Sequence, residues 1–334
     1  MTDECIAIKY EYIGRKDKKC VLLPSPDKID AQPTGREKCA GSNETNANAA
    51  SNATGTNKSC NRAGEDAGFH KYTARMPADR HASEYNMNHK NRGLALIFNH
   101  EYFDIPSLKS RQGTNVDCEN LGAALKRLHF DVNIHKDCKL REILKHVDKA
   151  ASQDHTDNDC IVVAILSHGE HGYLYAKDVQ YKLDTIWHYF SAHTCPTLAG
   201  KPKLFFIQAC QGDHFDPGVL MRKTTETDGE TSMSYKIPVH ADFLIAYSTI
   251  PGFYSWRNTT NGSWFMQSLV EELNANGKEH DILTLLTFVN QRVAVDFESC
   301  VPDCPIMHQQ KQIPCVTSML TRILRFNDKP TEGA

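Results

Sequence analysis

Apolar residues fall into two regimes along the 334-residue chain, with the change near residue 70. Beyond residue 93, short apolar runs alternate with stretches in which apolar residues recur every three or four positions. Residues 94–98 (LALIF), 159–166 (DCIVVAIL), 203–207 (KLFFI) and 243–247 (FLIAY) are runs of strand length, apolar on both faces. Runs of that kind mark strands covered from both sides. Residues 131–135 add a further predicted strand. Between them, Leu121, Leu125 and Leu128 share one helical face, as do Ile143, Leu144, Val147 and Ala151. Thr114-Asn115-Val116-Asp117 fits a capping box opening the first of these helices. Two more helices are predicted over 264–273 and 282–297, the second carrying Leu285, Leu286, Val289 and Val293 at helical spacing. A long apolar strand over 316–326 closes the pattern. Strands alternating with helices predict an α/β fold, with a mostly parallel central β-sheet covered by helices on both faces.

Two segments depart from this order. Residues 40–64 (AGSNETNANAASNATGTNKSCNRAG) contain no aromatic and no large aliphatic side chain, so they cannot bury enough apolar surface to offset ordering entropy. Disorder is expected there, continuing to about residue 70. Residues 211–238 are polar and rich in Thr, Asp and Glu, and a loop of that length in a compact domain is usually functional or disordered.

Composition narrows the function classes. A net charge of −3 favours neither nucleic acid nor an anionic membrane as partner. The run from Ile161 to Leu166 is far too short to span a bilayer. Residues 1–19 carry charges of both signs and no apolar core, so no secretory signal is expected. The twelve cysteines are then expected to be reduced thiols of a cytoplasmic protein.

The candidate chemistry lies where two strands end. Parallel α/β sheets place ligands beyond the carboxyl ends of their strands. One strand runs into Ser167-His168-Gly169-Glu170, another into Gln208-Ala209-Cys210-Gln211-Gly212. An imidazole beside a thiol helps form the thiolate and later protonates the leaving amine. Glycines beside both residues allow backbone to approach a substrate, and the N–H groups of Gly169 and Cys210 can stabilise an oxyanion.

Gln208-Ala209-Cys210-Gln211-Gly212 matches the nucleophile signature of the caspases, and His168 lies 42 residues upstream. Residues from about 80 to 326 resemble a complete caspase catalytic domain, most like those of insect executioner caspases. The matching segments are Arg111-Gln112-Gly113-Thr114-Asn115, Ser167-His168-Gly169-Glu170, the cysteine pentapeptide, Tyr254-Ser255-Trp256-Arg257-Asn258 and Lys311-Gln312-Ile313-Pro314. The resemblance implies a caspase-like sandwich and an endopeptidase cutting after aspartate, with Cys210 as nucleophile and His168 as its partner. Arg111, Gln208 and Arg257 would form the pocket for the P1 side chain. Independently, two guanidiniums and an amide suit a short carboxylate, whereas a neutral P1 side chain would leave the arginines without a counter-charge. Tyr254 and Trp256 would wall the P2 pocket. Ser255, Arg257 and Asn258 would contact the substrate, with Trp264 lining the P4 site.

In one region the chain departs from the family. Executioner caspases tend to carry aromatics after the second small-subunit helix, where this chain has Cys300-Val301-Pro302-Asp303-Cys304-Pro305-Ile306-Met307-His308. Aromatic contacts for P4 and P2 are therefore missing or replaced by Cys300 and Met307. Cys300, Cys304, His308 and Cys315 are zinc-ligand types, but their spacing matches no complete site, and no metal or cofactor is expected.

By the same resemblance the chain is a zymogen. It would have a short prodomain (1–30), a large subunit (31–228) and a small subunit (229–334), and act as a homodimer of processed protomers paired through the last strand. Asp228 before Gly229 is the expected interdomain cleavage site. Asp30 is a second, and cutting there exposes Ala31-Gln32-Pro33-Thr34, which looks like the tetrapeptides engaged by BIR domains of inhibitor-of-apoptosis proteins. Two other readings compete. One is a related cysteine peptidase cutting after Arg, Lys or Asn, which Arg111 and Arg257 oppose. The other is an inactive homologue serving as a binding module, which retention of His168, Cys210 and both arginines opposes.

Overall fold

The computed structural model describes residues 76–218 and 240–329. Asp30, Ala31, Pro33 and Asp228 lie outside these residues.

In chain order the strands and helices are β1 (Leu94–Asn99), α1 (Thr114–Arg127), β2 (Asp131–Lys136), α2 (Leu140–Ala151), β3 (Ile161–Leu166), β4 (Gly169–Glu170), β5 (Tyr173–Tyr175), β6 (Gln180–Tyr181), α3 (Asp184–Trp187), β7 (Lys203–Gln208), β8 (Phe243–Tyr247), β9 (Arg257–Asn258), β10 (Gly262–Ser263), α4 (Trp264–Asn276), α5 (Ile282–Asp296) and β11 (Cys315–Ser318). Six strands form one sheet in the order β11-β8-β7-β3-β1-β2. All neighbours are parallel except β11, which runs antiparallel to β8 at one edge. Because side chains alternate across a strand, each buried strand feeds two cores. Ile97, Val162, Ala164, Leu204, Phe206 and Leu244 face α1, α4 and α5. Phe98, Val163, Ile165, Phe205, Ile207 and Ile245 face α2 and the 183–198 segment. The architecture is the expected α/β sandwich.

Two expectations need correction. The run 316–326 is not one strand: β11 ends at Ser318, and the chain leaves the sheet to bury Leu324 and Phe326 beneath α1 and α5. Thr114 and Asp117 do not cap α1. The helix starts from Gly113, whose φ is +85°, and Thr114 Oγ1 donates to Asn99 Oδ1 at 2.7 Å. The Asp117 carboxylate accepts from Ser263 N–H at 2.8 Å and from the Ser263 hydroxyl. Bonds to the end of β1 in one case and to the β9–β10 hairpin in the other take the place of the local cap.

Candidate active site

The register of the two central strands brings the candidate catalytic residues together. Leu166 of β3 is the partner of Gln208 of β7. His168 and Cys210 each lie two residues beyond that pair, on adjacent strand ends. Gly169 then packs against the backbone of Cys210. A Cβ there would lie 2.5 Å from the Cys210 carbonyl oxygen and 2.9 Å from Ala209 Cβ, so only glycine fits.

Cys210 and Ser255 hold one another. Ser255 N–H points to Cys210 Sγ at 3.4 Å, and Sγ lies 3.8 Å from the Ser255 carbonyl. His168 Nε2 lies 2.8 Å from the carbonyl of Lys109, which can only accept, so this nitrogen carries the proton. Nδ1 of the neutral ring is left as the base. Phe103 packs on the same imidazole, ring centroids 4.9 Å apart. In this structure Sγ takes its hydrogen-bond partners from Ser255 and not from His168. Catalytic hydrogen bonds often tighten only around substrate.

Electrostatics keep both groups neutral. Burial, then the positive charges of Arg111 and Arg257, pull the His168 imidazole down to about 3, against the Lys109 carbonyl, which favours the charged form. Burial raises the Cys210 thiol, opposed by the Ser255 N–H and by Arg257 and Arg111.

The arginines come from opposite sides. Arg111, 1% exposed, donates through Nη1 to His100 O at 2.9 Å and to Thr114 Oγ1 at 2.7 Å. Its Nη2 is buried without a partner among the described residues. Arg111 is therefore held through Nη1 and keeps Nη2 for a ligand. Arg257, half-buried on β9, donates through Nε to Gln112 O at 2.8 Å. A Cβ on Gly113 would meet Asn258 O at 2.6 Å, which shows how tightly the 111–113 turn is laid on this hairpin. Gln208 Nε2 donates to Ser255 Oγ at 2.9 Å, and its buried Oε1 has no partner among the described residues. Burial and then mutual repulsion disfavour the charge on Arg111. Asp117 supplies an opposing negative charge, and burial raises its carboxyl to about 6.

Trp256 and Trp264 are each 2% exposed and stack at 5.6 Å, with Phe297 stacked on Trp264 at 5.5 Å. Tyr254 stays half-buried against Trp256. Asn258 Oδ1 accepts from the N–H groups of Thr260 and Asn261, at 2.7 and 2.9 Å, so that oxygen builds the β9–β10 turn. Cys300, Cys304 and Cys315 are free thiols, and His308 Nδ1 accepts from Val301 N–H. Among the described residues, no group of three or more His, Cys, Asp or Glu is placed to hold a metal.

Sequence reasoning missed the Lys109 carbonyl, Phe103, Asp117 as counter-charge, and Phe215. A backbone carbonyl carries no residue signature, and Phe215 is an isolated ring flanked by polar residues, His214 and Asp216. Pairing of Asp117 with the RQGTN turn was the one readable signal, and the capping-box pattern masked it.

A strand-end cysteine and histidine beside two converging arginines define a cysteine-type peptidase site. The caspase-domain family model matches residues 92–325. Caspase-1 of Drosophila melanogaster is 74% identical over 78% of this chain and 81% of its own length. Caspase drICE of the same species is 73% identical over 78% of this chain and 77% of its own. The crystal structure of Caspase-1 from Spodoptera frugiperda superposes with a TM-score of 0.73 at 62% identity, covering 78% of this chain and 99% of that one. The chain belongs to the caspase family of cysteine-type endopeptidases.

Proposed function

We propose that the protein is an executioner-type caspase that cuts peptide bonds after aspartate in apoptosis. The observation carrying this reading is the buried Nη2 of Arg111, without a partner among the described residues, set beside Arg257 and within the field of Cys210 and His168. A desolvated cation of this kind selects a carboxylate, because a neutral side chain leaves it without a counter-charge. Aspartate at P1 contributes more than binding. Its negative charge offsets the arginine field that disfavours the imidazolium, so His168 gains basicity as substrate arrives.

Cys210 sulfur attacks the scissile carbonyl while its proton passes to His168 Nδ1. The oxyanion is held by the N–H groups of Gly169 and Cys210. The imidazolium then protonates the leaving amine, and water releases the acyl group from sulfur. Fluorogenic tetrapeptides differing only at P1 test this. Aspartate is expected to exceed asparagine by at least about 10³-fold in kcat/KM, as for sites that leave buried charge unpaired with the wrong substrate. Comparable rates would remove the reading.

The processing and assembly calls belong to the same reading. Cleavage after both Asp30 and Asp228 would give subunits 31–228 and 229–334, and intact mass of the active enzyme tests the second cut: an unbroken 228–229 bond counts against it. The homodimer would form through β11, which ends the six-stranded sheet with one edge unpaired among the described residues. Sedimentation at micromolar concentration checks this, and a monomer excludes it. Cleavage after Asp30 would free the Ala31 amine, with Pro33 pre-ordering the chain for a BIR domain. Equal BIR affinity for wild type and Ala31→Met would discard that proposal. A cytoplasmic location accords with the predicted reduced thiols. Among the described residues, no helix is long and apolar enough to cross a membrane.

A further inference from the structure

The P2 pocket lacks a wall by sequence, since the 300–308 loop brings no aromatic to it. Met307, from that loop, is buried in the core. Trp256 offers little surface. It is 2% exposed, stacked on Trp264 at an interplanar angle of 18°.

Phe215, five residues past the nucleophile, packs against both aromatics of the 254–256 segment. Its ring centroid lies 5.5 Å from that of Tyr254, tilted by 44°, and 5.8 Å from that of Trp256, tilted by 39°. Phe215 and Tyr254 are half-buried, so they retain surface where Trp256 does not. Tyr254 immediately precedes Ser255, whose N–H meets the Cys210 thiol. Tyr254 is therefore one residue along the chain from a direct contact of the reacting sulfur, and Phe215 packs on its ring.

The backbone on either side of Phe215 is pinned. His214 N–H donates to Gly252 O at 3.1 Å and His214 O accepts from Tyr254 N–H at 2.9 Å. On the other side, Asp216 O accepts from Lys311 N–H at 2.8 Å, and the Asp216 carboxylate accepts from Gly218 N–H at 2.9 Å. A ring fixed in this way loses little further freedom when a ligand packs on it.

We infer that Phe215 is a specificity-determining residue which, with Tyr254, forms the surface that receives an apolar P2 side chain, while Trp256 only backs it. The inference rests on the proposed reading of the site as one that binds P1 aspartate. The post-nucleophile loop thereby supplies the aromatic that the 300–308 loop lacks.

The test uses processed enzyme and two P1-aspartate tetrapeptides that differ only at P2, valine against glycine. The readout is the ratio of their kcat/KM values. In Phe215→Ala that ratio is expected to fall about tenfold, the scale of one aromatic contact. Phe215→Leu is expected to recover part of it, chiefly through KM. Thermal melting of each variant reports on folding. An unchanged ratio in folded Phe215→Ala overturns the inference, and a raised ratio does so by showing that the ring fills the pocket rather than lining it. Wild type that cleaves neither peptide removes the proposed function itself, a result distinct from any change in the ratio.

Discussion

Arg111→Lys separates geometry from charge in the P1 pocket. The substitution keeps a cation and three N–H donors but loses the planar fork. In the wild type, Nη1 is committed to His100 O and Thr114 Oγ1, leaving Nη2 for substrate. A lysine ammonium is one compact point and cannot hold both carbonyl and hydroxyl while reaching a carboxylate. One charge-assisted hydrogen bond to substrate is therefore lost or lengthened, a cost of about 1.5–3 kcal/mol. That corresponds to a drop of about 10- to 150-fold in kcat/KM for a P1-aspartate peptide. Most of it is expected in KM, since the contact exists before and during reaction. Fluorogenic kinetics with thermal melting of both proteins measure it. Arg111→Ala is expected to lose more activity and also stability, because it leaves the buried His100 carbonyl without its donor and the Thr114 hydroxyl with its bond to Asn99 alone. Arg111→Lys within about threefold of wild type would refute the idea that the fixed guanidinium geometry matters, because so small a loss falls well below one charge-assisted bond.

Two further perturbations probe the catalytic pair. Gly169→Ala places a methyl 2.5 Å from the Cys210 carbonyl, so backbone must move; stability is expected to fall by about 1–3 kcal/mol and kcat to fall more than KM rises, and a fully active variant would contradict the packing. His168 titrates near 3 in the folded protein against an ordinary 6.5, so its neutral form contributes stability above pH 6.5 that is lost as pH falls toward 3. Wild type is therefore expected to lose about 2 kcal/mol more than His168→Asn between pH 7.5 and 5 in denaturant titrations, and equal losses would show that the imidazole is not held neutral.

Much of the fold was legible because the buried strands are apolar on both faces, leaving few alternatives to a covered parallel sheet. Cys210 and His168 were legible for the same reason, since strand ends carry the site in such sheets and the pentapeptide is distinctive. The three-stranded β4–β6 sheet and the β9–β10 hairpin escaped because two- and three-residue strands have no period to detect. The last strand was overextended because Leu324 and Phe326 are apolar for another purpose, burial beneath two helices. Thr114 and Asp117 resembled a local cap because only the folded chain reveals Asn99 and Ser263 as nearer partners. The commitment of Arg111 Nη1 was likewise beyond the sequence, which shows a guanidinium but not which of its nitrogens is already engaged.

The most direct measurement is covalent capture. A peptidyl fluoromethyl ketone ending in aspartate alkylates an attacking thiolate, forming a carbon–sulfur bond and releasing fluoride. Tryptic mass spectrometry of the treated, processed enzyme is expected to find one label per protomer, on Cys210. The same reagent ending in asparagine is expected to leave the protein unlabelled. Label on Cys300, Cys304 or Cys315 in place of Cys210, or equal labelling by both reagents, would contradict the account.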